Sequence, residues 1–227
     1  MRTLGVWIGL GLTLWLAWWT VPLPSQWDPW APLNVEQPPN WLTPYKLMRL
    51  RSDPDLCRAA LATSSLVTRA QADAAPSSRC PLVNVVRVSG GPIRLSSSFL
   101  ATCPVAVAFA LFERYGLQPA AQAAFNSSVV EVEHMGSYAC RNIYHRAQGR
   151  LSQHATANAL DISAFRLANG RRISVLKGWS GANDDAAFLQ AARTSACRYF
   201  STVLGPDYNA AHRNHFHLDM GGWLVCR

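Results

Sequence analysis

The chain has 227 residues, a formal net charge of +8 and an isoelectric point near 9.6, and its length suffices for one sizeable domain with an appendage. The basic charge favours an anionic partner, such as nucleic acid, an anionic lipid surface or a cell-wall polymer. No dense basic run or nucleic-acid-binding motif occurs, so we expect no nucleic-acid partner.

The first 23 residues are predicted to form a membrane anchor. Residues 4 to 23 carry no charge, and these 20 positions match the roughly 20 that a helix needs to cross a bilayer. Trp18 and Trp19 suit the membrane interface, and Arg2 favours an N-terminus on the cytoplasmic side. The alternative is a cleaved signal peptide, although its apolar core is usually shorter, about 7–15 residues. Both interpretations place the remainder of the chain outside the cytoplasm.

Residues 24 to 54 are rich in proline and tryptophan and show no periodicity until about Trp41. This composition predicts a linker or a wrapping segment that leaves the membrane. Residues 55 to 227 are assigned to the folded domain.

The cysteines agree with export from the cytoplasm. Their even number and wide spacing favour three disulfides in an oxidising compartment. No C-x-x-C pair occurs, which disfavours a cysteine zinc site. The pairing is left open by the sequence. The disulfide candidates are Cys57, Cys80, Cys103, Cys140, Cys197 and Cys226.

Helices and strands are expected to mix along the domain without a regular βαβ rhythm, which predicts an α+β fold. Helices are predicted over 55–75, 99–115 (closed by Gly116), 119–125 and 184–200. A hairpin is predicted over 82–95, and single strands over 129–133, 159–165, 172–176 and 215–219. Trp179 and Trp223 are interpreted as packing residues.

A dense histidine cluster near the C-terminus suggests a metal site. On a strand, His215, His217 and Asp219 would share one face, because side chains alternate with a period of two. His154 and Asp161 stand upstream, where a loop enters an apolar strand. His154, Asp161 and one histidine of the last strand would together supply two nitrogens and one oxygen, leaving the fourth tetrahedral position of a catalytic Zn²⁺ open.

The roles around this centre follow from chemistry. His215 and His212 are candidates for the general base, because histidine titrates near neutrality. Arg141 is a candidate for stabilising an oxyanion or binding a substrate carboxylate. Asp219 is interpreted as a partner of a metal ligand. Taken singly, H-x-H is more often a surface strand, and Asp161 is compatible with a buried salt bridge.

These residues also resemble a known pattern. Ser152-x-His154-x4-Ala159-x-Asp161, followed by His215-x-His217, is similar to the signatures of the LAS metallopeptidases, which include D-alanyl-D-alanine carboxypeptidases and penicillin-insensitive murein endopeptidases. The resemblance implies a LAS/hedgehog-like zinc peptidase fold with a small, mostly antiparallel sheet and flanking helices. It implies that His154, Asp161 and His217 bind zinc. Residues expected to contact substrate are Ser152, Tyr138 and Asn158.

A closer resemblance covers about residues 80 to 227. The segments CPLVNVVRVSG, SYACRN, RLSQHATANALDISAF and LGPDYNAAHRNHFHLDM are similar to the bacterial extensin-like C-terminal domain family.

The expected function is hydrolysis of amide bonds in peptidoglycan stems or cross-links, as a zinc-dependent D,D- or L,D-endopeptidase. The alternatives are a D-alanine carboxypeptidase and a non-catalytic, zinc-stabilised domain that binds the cell wall. The expected location is the bacterial inner membrane, with a single membrane pass and the domain in the periplasm.

Overall fold

The computed structural model describes residues 23–74 and 79–227. The predicted anchor, apart from its last residue, lies outside these ranges. Among the residues described, no helix has both the length and the apolar character that a membrane crossing requires.

The segment between residues 24 and 54 packs against the rest of the chain. It contains helix α1 (Thr43–Arg49), which is preceded by turns. Leu33, Val35, Leu47 and Leu50 are buried in the same hydrophobic core as the residues of the domain. Burying these side chains removes apolar surface from water and holds the segment in place.

Helix α2 (Pro54–Ala62) is shorter than predicted. It begins after Asp53, whose carboxylate accepts a hydrogen bond of 2.9 Å from the Leu56 amide. The prediction that it continues to residue 75 is wrong, because the chain leaves the helix and forms strand β1 (Val67–Ala70). The Ser64 hydroxyl donates to a carbonyl of the last helical turn, and the β-branched residues that follow favour a strand.

The predicted hairpin over 82–95 is also wrong. Strand β2 (Val85–Gly90) lies between β1 and β4 (Phe99–Thr102) in an antiparallel three-stranded sheet. The intervening strand β3 (Arg94–Leu95) pairs in parallel with β5 (Val129–Gly136) of the main sheet. Strand β4 has alternating buried positions, and at four residues it gives β2 a longer half-buried partner than the two-residue β3.

One continuous helical stretch follows β4. It consists of α3 (Cys103–Phe112), one π-helical turn and α4 (Gln118–Phe125). The helix predicted over 99–115 therefore starts later, with proline in its first turn, and Gly116 does not end it. A Cβ atom at Gly116 would collide with the Ser195 hydroxyl, so this glycine permits close packing of the neighbouring helix.

The main sheet confirms the α+β class and is mostly antiparallel. Its remaining strands are β6 (Ala159–Leu167), β7 (Arg172–Ser174), β8 (Thr202–Leu204), β9 (Phe216–Asp219) and β10 (Val225–Cys226), and helices α5 (Val175–Gly178) and α6 (Asp184–Ala196) lie between β7 and β8 in the chain. The strand order is β10-β8-β9-β6-β5-β3, and β7 also pairs with β6. Among the strand pairs in the described part of the chain, only β3–β5 and β8–β10 are parallel. The predicted strands at 129, 159, 172 and 215 are confirmed with shifted ends.

Three disulfides are present, as the sequence predicted. They join Cys57 to Cys103, Cys80 to Cys140 and Cys197 to Cys226. The first connects α2 to α3, and the last connects the end of α6 to β10. Each such bridge typically contributes roughly 2–4 kcal/mol, largely by restricting the unfolded chain.

Candidate metal centre

Two neighbouring strands of the main sheet bring Asp161 and His217 together. β6 and β9 are antiparallel, and these two residues lie directly opposite each other. Phe216 and Leu218 point to the other face and are buried in the core. Because side chains alternate along a strand, this core packing sets the register that places the Asp161 Oδ1 atom 2.9 Å from His217 Nδ1.

His154 reaches the same point from a short 3₁₀ turn (Gln153–Thr156) that leads into β6. The Ser152 hydroxyl caps this turn by accepting a hydrogen bond from the His154 amide. The left-handed backbone of Ala157 ends it. As a result, His154 Nε2 lies 3.2 Å from Asp161 Oδ1 and 3.1 Å from His217 Nδ1.

The three converging atoms fit a tetrahedral zinc site. Ligands about 2.0–2.1 Å from zinc are about 3.3 Å from one another in tetrahedral geometry. The three separations here are 2.9, 3.1 and 3.2 Å, so the atoms form a nearly regular triangle of slightly smaller size. Two imidazole nitrogens and one carboxylate oxygen are ligands that zinc accepts, and three protein ligands leave a fourth position for water or substrate.

The outer nitrogens of both rings are hydrogen-bonded in a way that directs lone pairs inward. His154 Nδ1 donates to the Ser137 carbonyl at 3.1 Å, and His217 Nε2 donates to the Asp219 carboxylate at 3.0 Å. Asp219 is itself held by the Gly221 amide at 2.7 Å. In their neutral forms both rings therefore direct an unprotonated nitrogen at Asp161, an arrangement that a cation between them stabilises.

The electrostatics of the cluster also favour a positive charge. Burial disfavours the charged form of His217, yet hydrogen bonds with Asp161 and Asp219 raise its pKa to about 9. Burial likewise disfavours the Asp161 carboxylate, but hydrogen bonds from His154 and His217 hold its pKa well below its usual range. A metal ion that binds here must displace the proton that His217 otherwise carries.

His215 stands beside this cluster with one nitrogen facing it. Its Nδ1 donates to the Asn214 side-chain oxygen at 2.8 Å, and its Nε2 lies 3.7 Å from Asp161 Oδ2. Burial lowers the pKa of His215, and Asp161 offsets this only in part. The ring is therefore neutral near pH 7, with the Nε2 lone pair free to accept a proton.

His212 lies one ring further out. Its ring centroid is 5.2 Å from that of His215, and its Nδ1 is 2.8 Å from the Asn209 side-chain oxygen. Burial, reinforced by the nearby His215 and His217, lowers the pKa of His212 to about 4. It is therefore also neutral near pH 7.

The cluster lies in a cleft of about 550 Å³ that also contains some of the predicted substrate contacts. Arg141 and Ser152 line this cleft, together with His212 and His215. The Arg141 guanidinium is close enough to lower the pKa of His215, although burial is the main cause of that shift. The side chains predicted for acid–base chemistry and carboxylate binding are thus brought together with the three metal-ligand candidates.

Two predicted substrate contacts lie elsewhere. Tyr138 is exposed and does not line the cleft. Asn158 lines a separate groove, and its side chain joins Gln153 and Thr102 through two hydrogen bonds of 2.7 Å. That network holds the turn carrying His154 against β4.

Aromatic side chains at the rim of the cleft were missed by the sequence analysis. Tyr144, Tyr208 and Trp223 line it and are largely exposed. Trp223, interpreted as a packing residue, is 64% exposed and has the Arg150 guanidinium 5.6 Å from its ring centroid. By contrast, Trp179 is buried as expected. Loop aromatics follow no period, so the only sequence signal at Trp223 was its position a few residues after the last predicted strand, 215–219.

The fold and the cluster define a disulfide-bonded α+β domain with a two-histidine, one-carboxylate centre at an open cleft. Residues 55–227 match the family described as Extensin-like protein C-terminus, and the chain belongs to that family. Comparisons with curated proteins and with solved structures found no match.

Proposed function

We propose that the protein is a zinc-dependent peptidoglycan hydrolase that cleaves amide bonds in peptide stems or cross-links, as a D,D- or L,D-endopeptidase. One observation carries the proposal: His154, Asp161 and His217 converge with separations of 2.9–3.2 Å, with both ring tautomers set by outer hydrogen bonds. The motif-level resemblance to LAS peptidases supplies the reaction class.

The residues of the chain have separable tasks in this mechanism. His154, Asp161 and His217 would hold the zinc ion, which would supply activation of a water molecule and polarisation of the substrate carbonyl. His215 Nε2 accepts the proton of the attacking water, since the ring is neutral and its Nδ1 is already paired with Asn214. His215 then returns this proton to the leaving amine. Arg141 stabilises negative charge that develops on the carbonyl oxygen, or holds a carboxylate of the substrate.

The charge of the cleft supports an anionic substrate. Arg141 and Arg150 line it, and among the described residues of its lining the only carboxylates are Asp161 and Asp219, both engaged with histidines. Peptidoglycan stems carry free carboxylates, which suit such a cleft. We further propose that residues 4 to 23 anchor the chain in the bacterial inner membrane, with the domain in the periplasm, where its three disulfides are stable.

The test combines metal analysis with digestion of purified muropeptides by the full-length protein. The wild type is expected to bind one zinc ion and cleave. His154→Ala should lose the zinc, and His215→Ala should keep it while the cleavage rate falls about 10²–10⁴-fold. His145→Ala is the matched control, because this exposed rim histidine is outside the triangle and its loss should leave zinc binding unchanged.

Each alternative has its own outcome. If both variants cleave like the wild type, the enzyme proposal fails. Release of D-alanine alone would identify a carboxypeptidase. Stoichiometric zinc without any cleavage would identify a non-catalytic, zinc-stabilised domain that binds the wall.

A further inference from the structure

Helix α1 is apolar on its outer side as well as on its buried side. Trp41, just before the helix, and Pro44, Tyr45 and Met48 within it recur with the spacing of one helical stripe. They are exposed or, for Tyr45, half-buried, whereas the residues between them are buried. Trp41 is 76% exposed and Met48 is 56% exposed. Contiguous exposed apolar surface of this kind marks an interaction site.

Pro44, Tyr45 and Met48 of the stripe line one wall of a groove of about 740 Å³. The opposite wall includes Met220, Gly222 and Leu224 of the C-terminal segment, and Leu224 is 90% exposed. We call the stripe of α1 and this groove together the α1 face. It is separate from the metal cleft, because Gly221 and Trp223 of the same segment line the cleft instead.

The charged residues of the α1 face all have one sign. Arg51 and Arg198 line the groove and are exposed, and among the described residues that line it there is no carboxylate. An apolar surface flanked by arginines is complementary to an amphiphile with an anionic head.

Helix α1, which carries this face, also contacts the residues that follow the uncharged N-terminal run. That run extends to residue 23 in the sequence. The Ser25 carbonyl accepts a hydrogen bond of 2.6 Å from Lys46 of α1, and the Pro29 carbonyl accepts one of 2.8 Å from Arg49. These bonds hold the start of the domain against α1. Nearby Trp30 is 70% exposed, and tryptophan is enriched where membranes meet water.

We propose that the α1 face docks on the anionic lipid surface of the membrane. The apolar stripe and Leu224 enter the headgroup region, while Arg51 and Arg198 contact lipid phosphates. The domain is then held against the bilayer in one orientation, with the metal cleft on the other side of the C-terminal segment. The proposal relies on the anchoring of residues 4 to 23 proposed above, and it does not depend on catalysis.

The test uses the full-length protein in vesicles of phosphatidylglycerol and phosphatidylcholine that contain a trace of photoactivatable phosphatidylglycerol. After illumination, mass spectrometry locates the attached lipid. We expect the lipid to attach at residues 41–48 and 222–225. Arg51→Ala and Arg198→Ala should each reduce the yield of attachment about fivefold. Met48→Ser should also reduce it. The control is Leu176→Ser, because Leu176 on α5 is equally exposed at 56% but lies outside the α1 face.

The outcomes separate this proposal from the anchor proposal. Attachment confined to residues 1–30 overturns docking while leaving the anchor intact. No attachment anywhere overturns both. Cross-links from the α1 face to a second copy of the chain, in place of lipid, overturn docking in favour of self-association.

Discussion

The orientation of one imidazole ring depends on a single carboxylate at Asp219. Its Oδ2 accepts the His217 Nε2 proton at 3.0 Å, and its Oδ1 accepts the Gly221 amide at 2.7 Å. An asparagine can serve only one of these donors with its single oxygen. Asp219→Asn should therefore destabilise the tautomer that directs His217 Nδ1 inward and weaken zinc binding by about 10–100-fold.

Competition with a chromophoric chelator measures this zinc affinity directly, without reference to hydrolysis. Asp184→Asn provides the control, since Asp184 is an exposed carboxylate at the start of α6. Equal zinc affinity in Asp219→Asn and the wild type would contradict the role assigned to the carboxylate.

The sequence could indicate the centre of the site and several side chains beside it, but not the aromatic rim of the cleft. A sequence motif and the strand periodicity identify His154, Asp161 and His217, and both can be read from a single sequence. Tyr144 and Tyr208 come from irregular loops, whose course depends on contacts distant in the sequence. Tyr144 also has a left-handed backbone with φ of 55°, which no local pattern there predicted.

At the scale of elements, the π-helical turn between α3 and α4 carries a buried acid. Glu113 is only 5% exposed, and its Oε1 accepts a hydrogen bond of 2.8 Å from Gln118. Burial raises the pKa of Glu113, and the bond from Gln118 offsets this only partly. Stability that depends on the protonated form is fully present below the pKa of the unfolded chain and is lost as pH rises through the folded-state pKa.

Glu113→Gln should therefore stabilise the protein at pH 7 by roughly 1 kcal/mol and have little effect near pH 4. The substitution keeps an oxygen for Gln118 and removes the buried charge. Thermal unfolding at the two pH values measures the difference, with the exposed Glu36→Gln as control. A loss of stability at pH 7 would show that the carboxylate has a charge-dependent partner.

Two of the errors in the predicted elements share one physical cause. Local pattern correctly indicated the strands that carry Asp161 and His217, since their alternation continues for several residues. It could not reveal that β3 leaves β2 for a parallel partner, because strand pairing is a tertiary choice. Gly116 likewise resembled a helix end. In the structure a glycine is needed there because Ser195 on α6 approaches closely.

On the scale of the whole molecule, the C-terminal segment is shared by two surfaces. Trp223 lines the metal cleft, and Leu224 lines the groove of the α1 face. The segment is held by strand β10, which has only two residues, and by the Cys197–Cys226 disulfide. The Trp223 carbonyl also accepts a hydrogen bond of 3.0 Å from the Thr202 hydroxyl. With so little regular structure, its order depends strongly on that bridge.

Removing the bridge as Cys197→Ala/Cys226→Ala should lower the free energy of unfolding by roughly 3–4 kcal/mol, the chain-entropy value for its sequence separation of 29 residues. Amide hydrogen exchange should rise at residues 220–227. Zinc affinity should change little. The three ligand candidates lie on β6, on β9 and in the turn before β6, and the pairing of β6 with β9 does not involve the disulfide. Cys80→Ala/Cys140→Ala is the matched control, since it removes a bridge between residues outside the C-terminal segment. Exchange that rises evenly across the described residues, or zinc lost with the 197–226 bridge alone, would show that the C-terminal segment and the metal centre form one cooperative unit.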